Sequence, residues 1–111
     1  MDGRSLTELA DEQLERARSS SSGRSAVTVF GGREHDMRQT LVALAEGNSL
    51  GEHDSPSEAS LQVLRGSVRM SVGDGDSWDG GAGDYVIIPP SRHDLHADTD
   101  AVVLLTVATR A

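Results

Sequence analysis

The chemistry open to this chain rests on its four histidines, His35, His53, His93 and His96. A neutral imidazole can accept a hydrogen bond from a ligand, hold a metal ion or act as a general base near neutral pH. Other chemistries are excluded, because the sequence has no cysteine and all ten of its basic residues are arginine. Thiolate nucleophiles, disulfides, cysteine zinc sites and Schiff bases on lysine are therefore ruled out.

The four histidines differ in the side of the chain that they are predicted to occupy. His93 alternates in phase with Leu95, an apolar residue, so its ring is expected to point into the protein. His96 falls in the opposite phase beside Asp94, which predicts a solvated surface position. His35 follows a glycine turn and is expected in a loop, from which it could still close over the site as a late ligand.

The first 25 residues are predicted to form one amphipathic helix and a linker. Apolar residues recur at intervals of three and four over residues 6–17, and Ser5 followed by Glu8 resembles a capping box. The serine tract at 19–22 competes with the helical backbone and ends the helix after Arg18. Because a helix this short has marginal stability in isolation, we expect it to dock on the main body rather than remain a free tail.

Residues 26–111 are predicted to form one all-β domain, because short apolar runs alternate with glycine-rich breaks and no helical pattern separates them. The predicted strands are 26–30, 37–44, 49–53, 59–65, 68–72, 85–88, 93–97 and 102–107. The predicted core comprises Val27, Val29, Leu41, Leu61, Val63, Val68, Met70, Val86, Ile88, Leu95, Val103 and Leu105. Trp78 is expected to cover one end of this core.

Charge and hydropathy narrow the range of partners. With 18 acidic and ten basic residues, the chain carries a formal charge of −8. Such a field repels polyanions, so nucleic acid is not an expected partner. No apolar run approaches the ~20 residues of a membrane span, and the start of the chain lacks the pattern of a signal peptide. We therefore expect a cytoplasmic protein that does not bind membranes.

One segment of the β region resembles the first motif of the cupins, which are small jelly-roll domains. That motif is a glycine, five residues, His-x-His, three or four residues, a glutamate, six residues and a glycine. Gly47, His53 and Gly66 match it. Ser55 replaces the second histidine, and Ala59 replaces the glutamate.

A later segment resembles the second cupin motif, in which a glycine and five residues precede Pro-x-Gly, two residues and a histidine. Gly83 and Pro89 match, Ser91 replaces the glycine, and His93 comes one residue early. The resemblance covers residues 37–107. It implies a cupin-type jelly roll, a double-stranded β-helix barrel, preceded here by one short α-helix.

The resemblance also implies a site, because cupins commonly hold Fe, Mn, Ni or Zn on three histidines and a glutamate. His53 and His93 remain here, and Glu58 is the nearest carboxylate, so these three form the candidate metal set. Two protein ligands rarely hold a divalent ion against water, which leaves a site without metal as the other possibility. In that case His53, Ser55 and His93 would bind a small molecule in the barrel mouth.

Three functions stay open on the sequence alone. The first is a domain that binds a small molecule at a degenerate metal site, and the second is a metal-dependent enzyme such as a dioxygenase or isomerase. The third is a ligand-free module for dimerisation or regulation. A homodimer is expected in any case, because alternation places Leu64 and Val72 on outward faces and large exposed apolar patches are usually covered.

Overall fold

The computed structural model describes residues 1–54, 58–73 and 75–109. The described elements are, in chain order, α1 (Leu6–Ser19), β1 (Arg24–Gly31), β2 (Met37–Leu44), β3 (Ala59–Arg65), β4 (Ser67–Val72), β5 (Asp76–Gly81), β6 (Tyr85–Ile87), β7 (His93–Ala97) and β8 (Ala101–Ala108). The strands form two antiparallel sheets, with the orders β1-β2-β8-β3-β6 and β5-β4-β7. This arrangement confirms the predicted all-β class with one N-terminal helix.

Helix α1 begins where the sequence predicts and docks on the larger sheet. The Ser5 hydroxyl accepts a hydrogen bond from the Glu8 backbone N–H at 3.2 Å, which satisfies one free donor of the first turn. Leu14 and the other buried residues of the helix pack on the outer face of β1, β2 and β8, and the buried Gln13 accepts a hydrogen bond from the Ser25 hydroxyl. The docked helix is therefore confirmed.

Two apolar clusters share the five-stranded sheet, one on each face. The cluster under α1 contains Ala10, Leu14, Ala17, Leu41, Ala43, Val102 and Leu104. The cluster between the sheets contains Val42, Leu44, Ala59, Leu61, Val63, Val68, Met70, Ile88, Leu95, Ala97, Ala101, Val103 and Val107. Alternation along β2 explains the division, because Leu41 faces the helix while Val42 faces the second sheet. Val27 and Val29, predicted for the main core, pack instead against the helix cluster.

Several strand predictions differ from the structure, and the largest differences concern β5 and residues 49–53. β5 was not among the predicted strands, since its residues are mostly Asp, Ser and Gly, which have little intrinsic preference for strands. It forms because it pairs along all of β4, and Trp78 packs against the main core from it. The predicted strand 49–53 is reduced to two isolated bridges, and β6 ends at Ile87 rather than at residue 88.

Leu64 and Val72, which were expected on outward faces, are both half-buried. Leu64 lies on the outer face of β3 and packs against the helix cluster, while Val72 packs against the main core. The predicted outward face is therefore confirmed for Leu64 and wrong for Val72, and the homodimer stays a prediction. The exposed large apolar residues of the described chain lie elsewhere, and Tyr85 and Ile87 of β6 are among them.

Gly66 allows the tight turn that joins β3 to β4. Its φ is +74°, and a Cβ built there would lie 2.0 Å from the carbonyl oxygen of Asp100, so no other residue fits. Gly47 and Gly83 also have the positive φ expected for them.

Asp100 ties the end of α1 to the neighbouring loops. Its carboxylate accepts hydrogen bonds from the Glu46 backbone N–H and from the Arg18 guanidinium, both at 2.8 Å. These two bonds hold the pKa of Asp100 below its usual value of 3.8. Within the described ranges, α1 is too short and too polar to cross a membrane.

Candidate functional site

His53 and His93 lie side by side on paired segments of the smaller sheet. Each backbone N–H donates to the carbonyl of the other residue, at 2.8 and 2.9 Å. The two rings meet edge to face, with their centroids 4.3 Å apart and an angle of 64° between the planes. His93 is 4% exposed, whereas His53 is exposed at the surface. The structure thus brings together the two histidines that the sequence singled out.

A bulge before His53 turns its ring inward. Ser49 pairs with His96, and His53 pairs with His93. The interval of four residues from Ser49 to His53 is therefore matched by an interval of only three residues in β7. The extra residue places Leu50 and His53 on the same face, although an unbroken strand would place residues three apart on opposite faces. Gly51, with φ +93°, lies between them and supplies the unusual backbone conformation.

The carboxylate of Asp94 stabilises this bulge. Its Oδ1 accepts hydrogen bonds from the backbone N–H groups of Gly51 at 2.9 Å and Leu95 at 2.8 Å. The Gly51 donor would otherwise lack the partner that a regular ladder provides. Asp94 therefore fixes the segment that carries His53, although its own side chain is only half-buried beside the site.

Both imidazoles are held in one tautomer by the backbone. The Nδ1 atom of His53 lies 2.8 Å from the carbonyl oxygen of Gly51, and that of His93 lies 3.0 Å from the carbonyl oxygen of Ser91. Because a carbonyl oxygen can only accept, each Nδ1 carries the proton and each neutral ring keeps its lone pair on Nε2. Among the described residues, neither Nε2 atom has a hydrogen-bond partner.

The two rings line a small cavity whose other walls are apolar. About 20 Å³ is open to the centre of a water-sized sphere, which is room for about one water molecule. The lining residues are Val42, Leu50, His53, Leu61, Met70, Ile88, His93, Leu95, Val103 and Leu105. Imidazole nitrogens are therefore the only side-chain nitrogen or oxygen atoms in the described lining.

An ion-pair group lies beside the entrance. Arg92 contacts Glu52 at 2.6 Å and Asp54 at 3.6 Å, and these are the carboxylates on either side of His53. All three side chains are more than half exposed, so the pairs contribute little stability. Together these three side chains carry a net charge of −1, so a ligand that approaches the exposed ring of His53 meets a negative charge.

The candidate metal ligands do not all meet. Glu58 is exposed, while the next residue, Ala59, turns its methyl group into the core. Ser55 lies outside the described residues. No group of three His, Cys, Asp or Glu side chains comes together within residues 1–54, 58–73 and 75–109. The described side chains therefore do not fit a divalent-metal site of three histidines and a glutamate.

The other two histidines lie away from this cavity. His96 is on the outer face of β7, but it is half-buried rather than fully solvated, and its Nδ1 lies 2.8 Å from the Ser49 hydroxyl. His35 is in the loop after β1, as expected, and its ring packs on Phe30 with centroids 4.8 Å apart. Neither ring belongs to the cavity lining.

Sequence reasoning overlooked three residues of the site. Met70 was predicted only as core, and Gly51 and Asp94 were not assigned any part in it. A glycine two residues before one histidine and an aspartate directly after the other are the only local signals of the bulge.

No protein-family model matches the sequence, and no curated protein matches it. Several solved structures, however, are similar to this chain. An RmlC-like cupin protein from Desulfovibrio desulfuricans is similar at 19% identity, with a TM-score of 0.74 and coverage of 97% of this chain and 96% of that one. A conserved protein of unknown function from Streptococcus pyogenes has 22% identity and a TM-score of 0.72, with 83% and 79% covered.

An enzyme is also among the similar structures. The DMSP lyase DddQ from Ruegeria pomeroyi has 18% identity and a TM-score of 0.69, and the match covers 79% of this chain but 49% of that one. The barrel and the matched motif positions thus agree with the resemblance seen in the sequence. The chain has the fold of the small cupins, with an N-terminal helix docked on the outer face of its larger sheet.

Proposed function

We propose that this protein binds one end of a small molecule in the barrel mouth, on the Nε2 atoms of His53 and His93, without a divalent metal. The observation that carries this proposal is the pair of Nδ1 hydrogen bonds to backbone carbonyls. They place the lone pair of each neutral ring on Nε2, away from its own backbone. Polar atoms placed at one end of an apolar cavity are typical of sites that orient a ligand.

The surroundings favour a ligand group that donates a hydrogen bond. A neutral Nε2 accepts, so a hydroxyl or an ammonium group complements it, while a carboxylate does not until a ring is protonated. The negative charge of Glu52 and Asp54, only partly balanced by Arg92, also disfavours an anion at the entrance. The apolar walls suit a short aliphatic portion of the ligand.

Three probes with one aliphatic chain and different head groups test this proposal. Propan-1-ol, propylammonium and propionate are titrated into ¹⁵N-labelled protein at pH 8, and the histidine ring nitrogens are followed by NMR. We expect the alcohol and the ammonium to shift Nε2 of His53 and His93 together, with His35 and His96 unchanged. Equal shifts at all four histidines, or none at any, would contradict the proposal.

A matched pair of variants locates the response. His93→Phe keeps a planar ring but removes Nε2, so the response of His53 to propan-1-ol should be lost. His96→Phe makes the same change on the outer face of β7 and should leave that response intact. An undiminished response in His93→Phe would show that the probe does not use the pair.

A ligand-free assembly module is the second candidate, favoured by the small cavity and by two exposed apolar side chains. Tyr85 and Ile87, 59% and 64% exposed, lie on one face of the edge strand β6.

A homodimer through this face predicts twice the chain mass of 11.7 kDa in light scattering. The double variant Tyr85→Ser/Ile87→Ser should be monomeric, while Phe30→Ser should not change the mass. A wild-type protein of single-chain mass at high concentration would refute the dimer.

A further inference from the structure

The segment that carries His53 is joined to β7 by backbone hydrogen bonds on either side of its bulge. Before the bulge, the Leu50 N–H donates to the Leu95 carbonyl at 3.0 Å. After it, the His53 N–H donates to the His93 carbonyl at 2.8 Å. The peptide group between Leu50 and Gly51 lies between these two bonds, so its orientation depends on contacts with other elements.

Two side chains hold the peptide group between Leu50 and Gly51. The Arg24 guanidinium donates to its carbonyl oxygen at 2.9 Å, and the Asp94 carboxylate accepts from its N–H at 2.9 Å. At the next peptide group, the Gly51 carbonyl accepts from Nδ1 of His53 at 2.8 Å. The orientation of the first peptide group therefore reaches the ring of His53 through one residue, Gly51.

The backbone of Gly51 does not select this orientation by itself. Its φ is +93°, and glycine adopts positive and negative φ about equally well. A flip of the preceding peptide group reverses the sign of that φ. A Cβ built on Gly51 meets no other atom, so the space around the residue is open. The hydrogen bonds from Arg24 and to Asp94 are therefore the contacts that favour the observed orientation.

Arg24 lies at the junction between α1 and the barrel, where the backbone is closely packed. It is the first residue of β1. The residue before it, Gly23, is buried, and the Gly23 carbonyl accepts a hydrogen bond from the Ala45 N–H at 2.8 Å. A Cβ on Gly23 would lie 2.3 Å from the side chain of Asn48. These contacts hold the backbone of Arg24 beside the turn that leads from β2 into residues 49–53.

We propose that Arg24 is a positioning residue for ligand binding. With Asp94 it fixes the backbone before His53 and so sets the direction of Nε2 on that ring. Arg24 is exposed and is not part of the described cavity lining, so it acts through His53 and not by contact with the ligand. The inference rests on the proposed small-molecule function, and it makes the chain that follows α1 a part of the binding site.

Arg24→Met tests the proposal in the unliganded protein, because it removes the guanidinium and keeps a long side chain. At pH 8, nuclear Overhauser contacts between the rings of His53 and His93 should weaken. The His53 ring should also average between tautomers, because the Gly51 carbonyl no longer accepts from Nδ1 in every molecule. This readout needs no ligand, so a failure here is distinguishable from a failure of the small-molecule function.

Arg4→Met is the matched control. The Arg4 guanidinium also donates to backbone carbonyl oxygens, those of Thr28 and Val29 at 3.3 and 3.4 Å. Both carbonyls belong to β1 and not to the segment that carries His53. The control should therefore keep the ring contacts and the tautomer of the wild type.

Titration with propan-1-ol gives the second readout. If the two peptide orientations become equally populated, half of the molecules keep a competent site and the apparent affinity falls about twofold. The urea midpoint should change little, because Arg24 is exposed. The proposal is overturned if the His53 ring in Arg24→Met matches that in Arg4→Met. Shifts at all four histidines together with a lower urea midpoint would also overturn it, since they indicate a general structural role.

Discussion

The two faces of the five-stranded sheet are packed in different ways. On the outer face, α1 covers Leu41 and Val102 completely. Ion pairs hold the helix near its middle, where Arg65 contacts Asp11, and at its C-terminal end, where Arg18 contacts Asp100. On the inner face, the second sheet leaves a cavity with two imidazoles at one end. The outer face is closed by apolar contacts and by the buried hydrogen bond between Gln13 and Ser25, whereas the inner face has two imidazole rings at a cavity.

This difference separates the residues that stabilise the protein from those that give it chemistry. No buried side-chain nitrogen or oxygen atom of the described residues lacks a hydrogen-bond partner, so neither face is destabilised by such an atom. Under the proposed function, ligand binding belongs to the cavity on the inner face, and the outer face serves only to pack α1. Changes under α1 should therefore alter stability alone, and changes around the cavity should alter binding more than stability.

Leu41→Ala is the variant expected to have the largest effect on stability. Leu41 is fully buried between β2 and α1, and removal of such a side chain typically costs about 2–5 kcal/mol of unfolding free energy. Urea unfolding measures the loss. The histidine ring-nitrogen spectrum of the folded fraction should not change. A shift of His53 and His93 signals in this variant would contradict the independence of the two faces.

Gly51→Ala should have a smaller effect on stability and a larger one on the site. A Cβ there meets no other atom, but φ of +93° costs an L-residue about 1–2 kcal/mol. The bulge should relax and move the ring of His53, so nuclear Overhauser contacts between the two rings should weaken. Gly3→Ala, in the open N-terminal segment, is the control. Ring contacts as strong as in the wild type would show that the bulge does not position His53.

The pH dependence of stability in Asp100→Asn tests whether the ion pair between Asp100 and Arg18 stabilises the docked helix. The pKa of Asp100 is lowered in the folded state, so its contribution is fully present above the unfolded value of 3.8 and is lost as the pH falls through the folded pKa. The stability difference from the wild type should be at most about 1 kcal/mol at pH 7, since the pair is partly exposed. It should shrink at pH 3. A difference that is equal at both pH values would argue against this linkage.

Most of the fold followed from sequence patterns, and the exceptions have physical causes. Alternation in 59–65 and in 93–97 predicted the buried faces of β3 and β7, because a sheet with one face on a core imposes that pattern. β5 could not be predicted, since it is specified by its pairing with β4 and not by its own residues. The partial burial of Leu64 was not predicted, because the helix that it packs against is distant in sequence.

The candidate site was predicted in part. His53 and His93 were recognised from motif positions, and the inward phase of His93 followed from its neighbours. The tautomers and the bulge depend on hydrogen bonds from His53 and Asp94 to the Gly51 backbone, which residue types do not reveal. Met70 was predicted only as a core residue, because its place at the cavity depends on the pairing of β4 with β7. That pairing puts Met70 opposite Leu95 and diagonal to His93.

The most direct test of the account is a long-range ¹H–¹⁵N correlation spectrum of the unliganded protein at pH 8, which reports the tautomer of each histidine. We predict that His53 and His93 are both protonated on Nδ1, with Nε2 carrying the lone pair. A ring of either histidine protonated on Nε2, or one that averages between tautomers, would contradict the proposal that the backbone prepares this pair to bind.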